Sequence, residues 1–142
     1  MPLWVRQAAA VPVLNGRVCM VTSSSGRRWV FPKGMIDDGH TPVQAALVEA
    51  WEEAGLVGTL APDPIGAYVY SKFDREHHVL VYRMAVTEVR QEWPERASRQ
   101  RVWLTPEDAL GRVEEPGLRD ILQRMFAPVD STNQAPPDRE TS

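Results

Sequence analysis

Residues 49–53 read EAWEE. Glu49, Glu52 and Glu53 fall within five residues of what the flanking pattern marks as a helix. At i, i+3 and i+4 they crowd one side, where each like-charge pair costs ~0.2–0.5 kcal/mol. They also stand near the helix C-terminus, where the macrodipole disfavours anions. A solvated helix face is one reading of this run. A hard divalent cation is the other. Mg²⁺ takes oxygen ligands in octahedral geometry and keeps several waters, and carboxylates at i and i+4 can reach one ion. Such sites handle phosphates, because the ion neutralises developing charge and activates water.

A polyphosphate also needs cations nearby. Lys33 directly precedes Gly34, at the end of a short apolar strand. Arg99 and Arg101 alternate on an expected strand, which puts both on one face. Their guanidinium forks suit phosphate oxygens. Arg28 sits in a polar turn, and His77 in an expected loop, FDREHH, before a long strand. These five residues are the candidate phosphate contacts. Trp29, Trp93 and Trp103 could stack a base, although Trp29 and Trp103 lie in apolar strands that suit a core.

These residues need a scaffold to hold them. Apolar runs at 8–14 and 18–22 are split by Asn15-Gly16, a strong hairpin signal. SSSGRR is a turn, Trp29–Phe31 a short strand, and MIDDGH a loop. Thr41 is a good N-cap, Pro42 suits the first helical position, and Gln44 completes a capping box. The helix should run to Ala54, with Gly55 as its stop. Val43, Ala46, Leu47, Ala50 and Ala54 form its apolar stripe, and the glutamates lie to one side of it. Residues 66–72, 79–89 and 101–104 read as further strands. Thr105-Pro106 opens a short helix, and 117–126 is an amphipathic helix. Strands, helix, strands and then helices predict an α/β fold with a mixed sheet and helices on both sides.

The run GMIDDGHTPVQAALVEAWEEAGL, residues 34–56, resembles the box of the Nudix hydrolase family. Gly34, Glu49, Ala50, Glu52, Glu53, Gly55 and Leu56 fall in register. His40 stands where that box has an acid, and Val48 where it has an arginine. The resemblance implies an α/β/α sandwich and hydrolysis of a nucleoside diphosphate linked to another group. It implies that Glu49, Glu53 and the Gly34 carbonyl hold Mg²⁺, with Mn²⁺ as a substitute. Glu52 resembles the proton acceptor for the attacking water, and Glu52 and Glu53 could exchange roles.

Further stretches, VTSSSGRRWVFPKG, GLVGTL, VYRMAVTEVRQEW and SRQRVWLTPEDAL, resemble the diphosphoinositol polyphosphate and diadenosine polyphosphate hydrolase branch. Three alternatives stay open: a different Nudix substrate such as ADP-ribose, a nucleotide sugar or a nucleoside triphosphate; a Nudix module that binds without turnover; and a protein whose glutamate face is merely solvated.

The bulk numbers bound the rest. A chain of 142 residues with 43% hydrophobic and 25% charged residues suits one soluble domain, here 1–127, followed by a polar, Pro-rich tail at 128–142. The net charge of −3 argues against bulk attraction to nucleic acid or an anionic membrane. The N-terminal stretch carries Arg6 and reads as a strand, not a signal peptide. Cys19 is the only cysteine, which excludes an internal disulfide and suits the cytoplasm. The expected partner is a small polyphosphate, and the sequence leaves the oligomeric state open.

Overall fold

The computed structural model describes residues 4–128. The expected tail, apart from Pro128, lies outside the described residues. In chain order the elements are β1 (Trp4–Leu14), β2 (Arg17–Thr22), β3 (Trp29–Val30), β4 (Lys33–Met35), α1 (Pro42–Ala54) and β5 (Leu56–Leu60). There follow β6 (Gly66–Lys72), β7 (Arg75–Val89), β8 (Arg101–Leu104), α2 (Pro106–Arg112) and α3 (Pro116–Phe126).

β1 and β7 run parallel at the centre of one mixed sheet, in register from Trp4↔Glu76 to Val13↔Ala85. All other pairings are antiparallel. β2 and β4 flank β1, β5 and β6 flank β7, and β3 and β8 flank β2.

Alternate residues of the central strands feed two cores. Ala9, Val11, Val79 and Val81 face Leu118, Ile121 and Leu122 of α3. Ala8, Ala10, Tyr82 and Met84 face Ala45, Ala46, Ala50 and Ala54 of α1. Both faces of β1 are therefore covered, which is why its sequence reads as a continuous apolar run and not an alternating one. The expected α/β fold with helices on both sides of a mixed sheet is the fold observed.

The turns show where local chemistry governs. Asn15 and Gly16 take φ of 53° and 75°, as the hairpin signal requires. The expected loop at 73–78 is different. Phe73 and Asp74 alone make the turn, both at positive φ, and residues 75–78 belong to β7. Neither is a glycine or asparagine, so local preference did not mark this turn. Seven residue pairs between β6 and β7, closing at Lys72↔Arg75, impose it. β4 and β5 likewise emerge only through partners, β4 on β1 and β5 on β7.

Candidate active site

α1 starts and stops as its sequence dictates. The Thr41 hydroxyl accepts from the Gln44 N–H at 3.1 Å, and Gln44 Oε1 accepts from the Thr41 N–H at 2.9 Å. Gly55 ends it at φ 69°, its N–H donating to the Ala50 and Trp51 carbonyls. A side chain at Gly55 would be strained at that φ and would also strike the Trp93 ring, 2.9 Å from an added Cβ.

The helix does not leave its glutamates in water together. Glu53 is only 5% exposed, whereas Glu49 and Glu52 are half-buried. The backbone N–H of Lys33 points at Glu53 Oε1 at 3.4 Å, and Arg99 Nη2 lies 3.7 Å from Oε2. Burial, followed by its hydrogen bond with Glu49, pushes the Glu53 carboxyl up to about 8. Burial also raises Glu49, with its hydrogen bond to Glu53 opposing the rise. The two carboxyls thus bind a proton more tightly than free carboxylates do, as expected of like charges brought together out of water.

Gly34 packs directly on this pair. A Cβ there would lie 2.3 Å from Glu49 Cδ, so glycine lets β4 approach with the Glu49 carboxylate in this position. Glu95 is a fourth carboxylate at this end. It raises the proton affinity of Glu49 and Glu53 and accepts from Arg99 Nε at 2.9 Å. It lies beyond the glutamate run, and its sequence carries no signal that it folds back; the Glu95 N–H bonds the Glu52 carbonyl.

Among the described residues, no three His, Cys, Asp or Glu side chains converge closely enough to cage an ion alone. Mg²⁺ commonly uses one or two carboxylates and fills its remaining positions with water and substrate oxygen. Buried Glu53 and half-buried Glu49, beside the Gly34 backbone, are a donor set that Mg²⁺ fits.

Beside the pair opens a cleft of about 580 Å³. Its walls include Glu53, Lys33, Arg28 and Arg99, with Trp29, Phe31 and Tyr68 as its aromatic side. Trp29 is partly buried against the α3-side core and Trp103 against the α1-side core; Trp93 hands its indole N–H to the Glu53 carbonyl at 3.0 Å.

The five expected phosphate contacts divide. Lys33 lines the cleft, its ammonium held by the Tyr70 hydroxyl at 3.0 Å. Arg99 lines it but is engaged by Glu95 and by the Thr22 carbonyl at 2.8 Å. Arg28 lines it with both Glu115 oxygens 3.1 Å from Nη2 and Glu114 3.4 Å from Nε. Arg101 does not join Arg99 on one strand face, since Arg99 precedes β8. The Arg101 guanidinium leaves the cleft, donating to the Ala54 and Arg90 carbonyls at 2.7 and 2.8 Å and lying over the Trp93 ring. His77 is not in a loop: it lies in β7, stacked on Tyr70, with both ring nitrogens buried and unpartnered. The sequence hid these outcomes because a cation's partner depends on strand pairing and not on local spacing.

His40 is exposed, its N–H capping the Asp37 carbonyl at 3.0 Å, and Val48 is 38% exposed on the outer face of α1.

Comparison with known proteins identifies the family and the fold. The NUDIX domain model matches residues 4–127. The chain is 33% identical over 132 residues to Nudix hydrolase 12, mitochondrial, of Arabidopsis thaliana, covering 87% of this chain and 65% of that protein. It is 33% identical over 121 residues to diphosphoinositol polyphosphate phosphohydrolase 3-beta of Bos taurus, covering 82% of this chain and 73% of that protein. The chain thus spans just under two thirds of the length of the plant relatives it matches. The C. elegans Ap4A hydrolase superposes with a TM-score of 0.68 at 23% identity, covering 87% of this chain and 96% of that one, a likeness of fold.

Proposed function

The chain belongs to the Nudix hydrolase family, and from that premise we propose that it is a Mg²⁺-dependent hydrolase of a phosphoanhydride bond in a polyphosphorylated small molecule, of the dinucleoside polyphosphate or diphosphoinositol polyphosphate type. The observation that carries the reading is the pair of buried Glu53 and half-buried Glu49 against Gly34 at the end of a cation-bearing cleft. Glu49, Glu53 and the Gly34 carbonyl would hold the ion, whose chemistry is to neutralise phosphate charge and make water a better nucleophile. Glu52, on the same helix and only half-buried, takes the proton of the attacking water. Lys33 and Arg99 orient the phosphates and stabilise charge as the bond breaks.

The charge balance of the cleft supports the dinucleoside arm. Arg28, Lys33, Lys72 and Arg99 face Glu53, Glu114 and Glu115, four cations against three acids. An inositol ring carrying phosphate on every side needs a larger excess. A flat, uncharged base suits the single aromatic side formed at Trp29. No described helix is long and apolar enough to cross a membrane. We place the protein in the cytoplasm on the strength of its single, buried thiol.

The test is a substrate panel with Mg²⁺ and Mn²⁺, covering dinucleoside polyphosphates, diphosphoinositols, ADP-ribose, nucleotide sugars and nucleoside triphosphates. Glu52→Gln and Glu53→Gln should each lower hydrolysis by ~10²-fold or more with the fold retained. Full activity in both variants would overturn the mechanism. A second reading, binding without turnover, draws on Val48: no arginine orients the adjacent Glu49 from that outward-facing position. Ligand- and Mg²⁺-dependent thermal stabilisation without product would favour it.

A further inference from the structure

We propose that Tyr70 is a positioning residue that aims Lys33 into the cleft; this rests on the reading that Lys33 meets substrate phosphate. The Lys33 ammonium lies 3.0 Å from the Tyr70 hydroxyl and 4.8 Å from the ring centroid. An ammonium has donors only, so the phenol oxygen accepts and its own proton goes elsewhere. It goes to Gln7 Oε1, 2.9 Å away. The direction of the chain, Lys33 to Tyr70 to Gln7, is therefore fixed by the chemistry of its first member.

Each member stands on a different strand. Lys33 is on β4, Gln7 on the central strand β1, and Tyr70 on β6. β7 lies between β6 and β1, and its His77 pairs with Tyr70 in register. The His77 ring stacks on Tyr70 with centroids 4.6 Å apart and planes 11° from parallel. Its nitrogens reach no partner, so His77 acts through its ring face. Gln7 is buried, 9% exposed, and does not drift. The arrangement clamps the phenol from below by stacking and from one side by a buried amide.

Its consequence falls on the lysine. A free lysine chain samples many rotamers and must lose that freedom when it grips a ligand. Here the freedom is already spent in the folded protein. Two of the three ammonium donors remain for phosphate oxygens while the third stays on Tyr70. Tyr70 thus acts through Lys33 without touching the reacting atoms.

A double-mutant cycle of Tyr70→Phe and Lys33→Met tests this, with a dinucleoside polyphosphate as substrate. Tyr70→Phe keeps the stacked ring and removes only the hydroxyl. We expect KM to rise about three- to tenfold, the scale of one hydrogen bond to a charged group, with kcat within about twofold. In the Lys33→Met background the same change should have no further effect. Equal losses in both backgrounds would overturn the proposal, because Tyr70 would then act on substrate or fold directly.

A second measurement does not depend on turnover. Lys33 and Lys72 are the only lysines, so a Lys72→Arg protein carries a single side-chain amine. Its trinitrophenylation by trinitrobenzenesulfonate, followed at Lys33 by peptide mapping, should quicken severalfold on adding Tyr70→Phe. An unchanged rate means that the hydroxyl does not hold the ammonium and also overturns the proposal. A faster rate in a protein inactive on every substrate would instead sustain the tether and count against the hydrolase reading.

Discussion

Three of the four carboxylates at the acidic end of the cleft come from one helix, whereas the cations come from four separate segments. Glu49, Glu52 and Glu53 sit on α1, and their relative placement follows from 3.6 residues per turn. Arg28 comes from the turn after β2, Lys33 from β4, Lys72 from the end of β6 and Arg99 from the approach to β8. The three acids have each other as neighbours wherever the helix forms, and Gly34 joins them when β4 pairs with β1. Lys72 and Arg99 find Phe73 and Glu95 close by in the chain, whereas Lys33 meets Tyr70, and Arg28 meets Glu114 and Glu115, only when distant segments assemble. A site can therefore take most of one wall from a single helix and depend on assembled strands for much of the other.

The sharpest way to break the comparison is at Gly34. Gly34→Ala puts a methyl 2.3 Å from Glu49 Cδ, so the carboxylate or β4 must move. A displacement near 1 Å at a reacting centre can cost ~10²-fold, and we expect kcat/KM to fall on that scale while far-UV circular dichroism stays native. An active Gly34→Ala enzyme would show that the acidic wall tolerates looser geometry than its spacing suggests.

The next test separates two arginines two residues apart. Arg101→Ala strips hydrogen bonds from the Ala54 and Arg90 carbonyls, and should cost about 1–3 kcal/mol in urea unfolding with KM unchanged. Arg99→Ala should instead raise KM and shift the pH profile, because its guanidinium faces Glu53. Matching effects on KM would mean that Arg101 reaches the substrate after all.

Protonation offers a third probe. Free carboxyls titrate near 4.5, whereas Glu53 is pushed up to about 8 and Glu49 is also raised. Between those values the folded state holds more protons than the unfolded chain, so stability falls as pH rises. The contribution is complete below about 4.5 and lost by about 8. The melting temperature without divalent ions should therefore decline across that window. Glu53→Gln should flatten the decline, and millimolar Mg²⁺ should offset it by binding the ionised pair. A profile that rises with pH in the metal-free protein would mean that both carboxyls are ionised in the fold.

The smallest effect belongs to Val48. As an exposed helix position, Val48→Arg should leave stability within ~0.5 kcal/mol. A gain in hydrolysis would tie the missing arginine to a slower enzyme, and no change would show that α1 orients its glutamates without it.

Legibility in the sequence follows the same division. The capping box, the Gly55 stop and the Asn15-Gly16 turn were readable because each is satisfied by residues a few positions away. The register of Gly34 with the glutamates was readable because the box has fixed length. The depth of Glu53 was not: the apolar stripe placed the glutamates to its side, yet β4 and Arg99 bury this one. The Phe73-Asp74 turn and His77 inside β7 were hidden because strand pairing and not turn residues closes that hairpin, and Glu95 was hidden because its partners lie far along the chain.

By itself the sequence determined one helix, its caps and the face carrying three carboxylates. Those features rest on local geometry and short-range hydrogen bonds, which a chain carries with it. Tertiary structure alone decided which carboxyl is buried, which cations enter the cleft and which phenol holds Lys33. Those outcomes depend on strand pairing across the parallel β1–β7 centre, where residues some 70 positions apart become neighbours and set one another's charge and reach.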